Sequence, residues 1–337
     1  MAIVGAGMAG LLAAKTLAAA GKKVAVFDKG RGVGGRMATR RIGDAVFDHG
    51  AQYFTARDPD FRLLTEAWLS EGSVHLWSDG FAIADGTLNQ NGEPRYASRR
   101  GMTAVPKRLA SGLDVRTGAK VASCSWTGQR WQLSFSDSDS QSPPVEAAAL
   151  ILTAPVPQSL ALLAAGGVTL EAPVRQALER IDYEPCLAAL VGLDGASRLP
   201  PPGGMWLNGQ PATWVADNVR KGVSPANAGA ALTIHAGPKF SRAHWDADPD
   251  ATARELARTV DRWLGAPIKS VQLHRWRYAT PVTVHPERCL ATEAPGPLAF
   301  AGDAFAGPRV EGAALSGLAA AAALLGERRA TREAAKL

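Results

Sequence analysis

The chain has 337 residues, 46% hydrophobic and 20% charged, with a formal net charge of +6. That length exceeds one ordinary domain and that composition excludes a disordered or fibrous chain, so two globular domains are expected. Lys and Arg are scattered rather than blocked, which argues against nucleic-acid and membrane partners and for an anionic small molecule.

The first residues carry the strongest signal. Ile3-Val4-Gly5-Ala6-Gly7-Met8-Ala9-Gly10 runs from an apolar strand into a G-x-G-x-x-G turn, followed by a helix over Leu11 to Ala20, Gly21, and a strand over Val24 to Phe27. Gly5 permits the turn, Gly7 lets a pyrophosphate approach the backbone, and Gly10 lets helix and strand pack closely. Asp28 ends the second strand, where a carboxylate meets adenosine ribose hydroxyls. To this point the pattern suits NAD(P) as well as FAD. Lys29-Gly30-Arg31-Gly32-Val33-Gly34-Gly35-Arg36-Met37 adds a second glycine-rich loop in which Arg31 or Arg36 can set a guanidinium fork against a diphosphate, and the pair of loops resembles the flavoprotein amine oxidase superfamily.

Further along, Ala45 to Asp48 predicts a strand leading into His49-Gly50-Ala51-Gln52-Tyr53-Phe54-Thr55, and Asp60 to Leu69 a helix. Ser73 to Tyr96 predicts antiparallel strands with turns at Asp79-Gly80, Asp85-Gly86 and Asn91-Gly92. Gly101 to Leu109 predicts a helix, Val115 to Phe135 a meander joined through Thr127-Gly128, and Ser134 to Pro144 a surface loop. The long uncharged run Ala147 to Leu170 is broken by Pro155, Pro157 and Gly166-Gly167, so it predicts a buried strand, a loop and a helix rather than a membrane span. A helix near Pro173 to Ile181, strands near Ala188 to Leu193, Thr213 to Val215 and Ala231 to His235, and one helix from Ala251 to Leu264 follow. Pro297 to Asp303 returns as a buried strand and Glu311 to Leu325 as a helix.

The fold expected is α/β: a Rossmann-like FAD-binding domain over 1–72, 97–155 and 286–337, and an α+β substrate domain with an antiparallel sheet over 73–96 and 156–285. Cys124, Cys186 and Cys289 are too dispersed for a metal pair or a disulfide framework, so no metal is expected. With no basic, apolar leader before the first strand, a cytoplasmic protein is expected. Nothing in the pattern fixes an oligomeric state. Gly302-Asp303, with Arg309-Val310-Glu311-Gly312-Ala313 opening a helix, forms a second cofactor-facing segment: Asp303 addresses the ribityl or phosphate region, and the helix N-terminus stabilises negative charge on a reduced flavin ring.

Together these stretches resemble the renalase family, in particular its bacterial branch, within the FAD-dependent amine oxidase superfamily. The matching residues include Gly5 to Gly10, Phe27-Asp28-Lys29, Gly34-Gly35-Arg36-Met37, Gly50 to Asp58, Gly101 to Ala104, Trp214 with Asn218, His235, Arg275-Trp276 with Tyr278-Ala279, Gly302-Asp303 and Arg309 to Ala313. The resemblance implies noncovalent FAD, a p-hydroxybenzoate hydroxylase-like topology, and oxidation of the 2- and 6-dihydro isomers of NAD(P) to NAD(P)⁺, with hydride passing to flavin N5 and molecular oxygen reduced to hydrogen peroxide. It adds Val121 and Thr153 to the cofactor contacts. His235, Tyr53, Trp276 and Tyr278 are the catalytic candidates, and Phe54, Trp214, Asn218 and Arg277 the substrate contacts; the remaining histidines are expected at the surface. Ala301 to Ala314 holds no cysteine for covalent flavin attachment. Amine oxidases commonly place a lysine near the flavin, for which Lys239 is the candidate here. The alternative is an amine oxidase or desaturase acting on another small molecule, or a nonenzymatic FAD protein.

Overall fold

The computed structural model describes residues 1–136, 143–207 and 211–326. Much of the predicted loop between Ser134 and Pro144 lies outside them.

A six-stranded sheet carries the glycine turn, in the order Leu290–Thr292, Leu298–Phe300, Leu150–Leu152, Ala2–Val4, Ala25–Asp28, Asp114–Thr117. All its pairings are parallel except the edge pair 290–292 with 298–300. Ile3, Leu150, Ile151 and Leu298 are wholly buried, as strands covered on both faces require. The first helix, Met8–Ala19, and the closing helix, Arg309–Leu325, lie against each other on one face, so the two ends of the sequence share one core.

The second large sheet has seven strands in the order Ile268–Thr283, Asp182–Leu193, Ala231–Ala236, Ala212–Asp217, Gly204–Trp206, His75–Ala82, Leu88–Ala97, and all pairings but one are antiparallel. One face is covered by the helix Pro249–Arg258 through Ala253, Leu256 and Ala257. A hairpin of Thr39–Ile42 and Ala45–Asp48 lies between the large sheets, its Phe47 packed against Leu190 and Ala231.

Several predicted elements take another form. Asp79-Gly80 and Asn91-Gly92 lie inside strands; only Asp85-Gly86 falls in the connection. At Gly80 the register shifts, and a Cβ there would sit 2.4 Å from the Asn89 carbonyl, so the glycine serves a bulge. Asp114–Thr117 joins the parallel sheet beside Ala25–Asp28, and the meander is built instead from Val121–Trp126, Trp131–Phe135 and Val145–Ala147. Strand periodicity is the same in either sheet and does not name a partner. The helix expected over Ala251 to Leu264 is two, Pro249–Arg258 and Asp261–Leu264. Thr259 and Val260 donate to carbonyls three residues back, and the Thr259 hydroxyl bonds the Leu256 carbonyl at 2.7 Å, which tightens and ends the first helix.

Candidate active site

The glycine turn is shaped by close contacts. Gly5 has φ +110°, and a Cβ on Gly10 would lie 1.9 Å from the Gly5 carbonyl oxygen, so strand and helix touch as only glycine permits. A Cβ on Gly7 would meet nothing within 4 Å. Gly7 caps the first helix without a side-chain hydrogen bond, which leaves the first-turn N–H groups without that partner and suits a phosphate. Asp28 is fixed by two donors, Ala6 N–H to Oδ2 and Gly30 N–H to Oδ1, each at 2.7 Å. Thr153 Oγ1 donates to the Val4 carbonyl at 2.9 Å, and Val121 is buried in one cluster with Val4 and Phe27. Met8, Ala9 and Met37 are buried behind the turn, whereas Lys29 stands at an exposed edge with Nζ 3.3 Å from Gln158 Oε1.

The second loop and the distant Gly302-Asp303 segment meet in one ion pair. Arg36 donates from both terminal nitrogens to Asp303, at 2.6 and 2.8 Å, and its Nη1 also reaches the Tyr278 carbonyl at 3.2 Å. Burial pushes the Asp303 carboxyl up, and the Arg36 charge pulls it back. The fork is thus committed to a carboxylate, with the 3₁₀ turn Gly35–Met37 holding it in place. Past Asp303, Ala306 (φ +56°) and Arg309 (φ +83°) hold left-handed backbone without being glycine, a local strain that collects at functional segments. Val310 is buried, Ala313 partly so, and Glu311 accepts the N–H groups of Arg57 (2.6 Å) and Asp58 (2.7 Å), tying the closing helix to the segment that follows Phe54.

The segment before Phe54 joins the sheets through Asp48. Its carboxylate accepts from Lys221 Nζ at 2.6 Å, Met102 N–H at 2.8 Å and Thr39 Oγ1 at 2.5 Å, and its N–H donates to Asn218 Oδ1 at 3.0 Å. The Lys221 and Asp48 side chains are both 0% exposed. Just beyond, Ala51 N–H donates to the Arg36 carbonyl, and Gln52 Nε2 donates to the carbonyls of Asp48 and Gly50. Gln52 Oε1 and His49 Nδ1 are buried with no partner among the described residues. Two orphaned polar atoms in one four-residue turn mark where a ligand with hydrogen-bonding edges fits.

Trp276 Nε1 donates to the His49 carbonyl at 2.9 Å, and His235 Nε2 lies 3.3 Å from the same oxygen. Trp276 stacks on His49 with centroids 5.3 Å apart and planes 17° apart, and His274 stands edge-on to both rings. Desolvation pushes His49 down to about 3 and His235 and His274 to about 4, with neighbouring positive charges adding to the effect, so all three imidazoles are neutral at pH 7. Tyr53 forms a separate wall with Trp77, Phe81 and Trp214, under the Arg95 guanidinium. Tyr278 packs edge-on against Tyr183.

Not every expected contact gathers here. Phe54 is a core residue against Phe61, Trp68 and Tyr96. Asn218 is wholly buried, its amide bonding the Ala231 carbonyl and Thr233 Oγ1 as well as Asp48, an architectural use of the side chain. Arg277 points away from Trp276 and lies over the Trp245 ring at 5.0 Å. Lys239 is exposed on a short helix; the buried lysine is Lys221, which no local pattern marks. His49 and His274, expected at the surface, are drawn into the aromatic wall. His274 could have been found, since it shares the strand face of Trp276 two residues on.

Fold and site define a flavin-dependent oxidoreductase on a dinucleotide-binding scaffold. A family model for flavin-containing amine oxidoreductases matches residues 75–325, and one for NAD(P)-binding Rossmann-like domains matches 3–67. The chain belongs to the flavin-containing amine oxidoreductase family, and its cofactor is FAD. The open groove at Gly7, the orphaned atoms of the His49 to Gln52 turn and the strained start of the closing helix fit that cofactor. Among solved structures, the chain is similar to a putrescine oxidase bound to putrescine (TM-score 0.68, 16% identity, covering 97% of this chain and 98% of that one). It is also similar to a fatty acid isomerase from P. acnes (TM-score 0.68, 11% identity, 97% and 98% covered). At such identities the likeness is one of fold. No helix among the described residues is long and apolar enough to cross a membrane.

Proposed function

We propose that this chain is an oxidase of renalase type, which oxidises the 2- and 6-dihydro isomers of NAD(P) to NAD(P)⁺ with molecular oxygen as final acceptor. The observation that carries this reading is an aromatic cluster without charge at neutral pH: Trp276 stacked on His49, His274 edge-on to both, and His235 on the His49 carbonyl. A dihydropyridine becomes aromatic by losing hydride alone, so the site needs a platform rather than a base. Bound FAD supplies the hydride acceptor and the route to hydrogen peroxide. In this reading Trp276 and His235, both tied to the His49 carbonyl, hold the platform in place.

Anaerobic mixing of the yellow protein with the dihydro-NAD(P) isomers and with a panel of amines tests this. Rapid bleaching of the flavin by the 2- or 6-dihydro forms is expected. Bleaching by amines alone transfers the protein to amine oxidation.

A further inference from the structure

The outer face of the strand Ile268–Thr283 carries a second constellation. Tyr183, Pro185, Arg242, Trp245, Arg277 and Tyr278 line a cleft of about 340 Å³, at the low end of small-molecule sites. Its platform is fixed: Arg275, on the same strand face as Arg277, donates to the carbonyls of Trp245 and Ala247, each at 2.8 Å, and so pins the loop that presents the Trp245 ring. Arg277 covers that ring and makes no hydrogen bond or ion pair among the described residues. Arg242 has only Glu184, at 3.6 Å, and is 57% exposed. The lining holds two guanidinium groups and three aromatic rings, with Glu184, the partner of Arg242, beside it.

We propose that this cleft is a subsite for the phosphate-bearing, adenylate half of a dinucleotide substrate. The inference rests on the dihydronicotinamide reading for the identity of the other half. Guanidinium forks suit phosphate oxygens and an indole face suits a purine, whereas the phosphates of FAD have their own donors at the helix opening with Met8. The two sites adjoin: Tyr278 lines the cleft and gives its carbonyl to Arg36, and it stands two residues, about 7 Å, along the strand from Trp276. Because Ile268–Thr283 is an edge strand, a ligand with its flat ring at Trp276 can pass round that edge into the cleft.

The test is calorimetric titration of the FAD-loaded enzyme with ADP-ribose, compared with the Arg242→Met/Arg277→Met double variant, alongside dihydro-NAD oxidation by both. ADP-ribose binding that weakens with salt and falls tenfold or more in the variant, at unchanged FAD content, is expected, with KM for dihydro-NAD rising in step. Equal ADP-ribose affinity in the two proteins overturns the subsite, even where dihydro-NAD still bleaches the flavin. Loss of FAD from the variant also overturns it, by assigning the arginines to the cofactor. ADP-ribose binding lost in the variant while no dihydronicotinamide is oxidised by either protein leaves the cleft standing and removes the dihydronicotinamide reading.

Discussion

The two sides of the segment Asp48 to Gln52 are built on opposite rules. On the Asp48 side, Lys221, Asn218, Thr233, Thr39 and Met102 all aim donors or acceptors at one residue, in a region closed to water. On the other side, His49 Nδ1 and Gln52 Oε1 are buried and unpaired. Both are desolvated, so the difference is not exposure. Full pairing locks the two large sheets together, and incomplete pairing a few ångströms away leaves hydrogen-bonding capacity that only a ligand can use. Rigidity on one side is what makes the unpaired side worth having, because an unsatisfied group in a soft loop would rotate toward water.

The largest effect is expected where the paired side is broken. Lys221→Met leaves the Asp48 carboxylate buried without its cation and is expected to cost about 3–5 kcal/mol in urea denaturation, most of it recovered in Lys221→Met/Asp48→Asn. A loss under 1 kcal/mol would show that the pair does not hold the sheets.

Acid comes next. The three imidazoles have pKa values near 3, 4 and 4 when folded and near 6.5 when unfolded, so below pH 6.5 the unfolded chain binds more protons. Their contribution is present above pH 6.5 and is lost as pH falls through about 4. Urea midpoints should therefore drop between pH 7 and 4.5, and His49→Gln should flatten that slope; a slope unchanged by the substitution would place the pH dependence elsewhere.

Two glycines sharpen the contrast between packed and open backbone. Gly10→Ala forces a methyl onto the Gly5 carbonyl and is expected to destabilise by about 2–3 kcal/mol and abolish FAD retention. Gly7→Ala meets no protein atom, so the thermal midpoint of the apoprotein should stay within about 2 °C, while FAD affinity falls tenfold or more. Equal FAD affinity in Gly7→Ala would mean that no phosphate approaches that backbone. Smallest is Trp276→Phe, which removes one hydrogen bond to His49 and should cost about 1 kcal/mol of stability, with a larger rise in KM than fall in kcat if the ring is a platform.

Much of the scaffold could be foreseen. Gly5, Gly10 and Asp28 lie within one βαβ unit, where spacing along the chain is spacing in space, and the returning strand before Gly302 declares itself by an unbroken apolar run. Turn dipeptides misled within Ser73 to Tyr96, because a glycine serves a bulge inside a strand as readily as a hairpin turn. Aromatic residues gave an incomplete account of the site: Trp276 and Tyr53 lie on walls, but Phe54 alternates into the core, and periodicity does not say which face a ligand takes.

By itself the amino-acid sequence determined that a dinucleotide turn opens this chain and that strands recur to build a parallel and an antiparallel sheet. Only the tertiary structure decided that Arg36 grips Asp303 across 267 residues, that Lys221 is buried on Asp48 across 173, and that His49 meets His235 across 186. The physical reason is range: steric and hydrogen-bonding rules within a turn act over a few residues and are written locally. The charge, burial and neutrality of a site depend on which distant segments the packed sheets bring into contact.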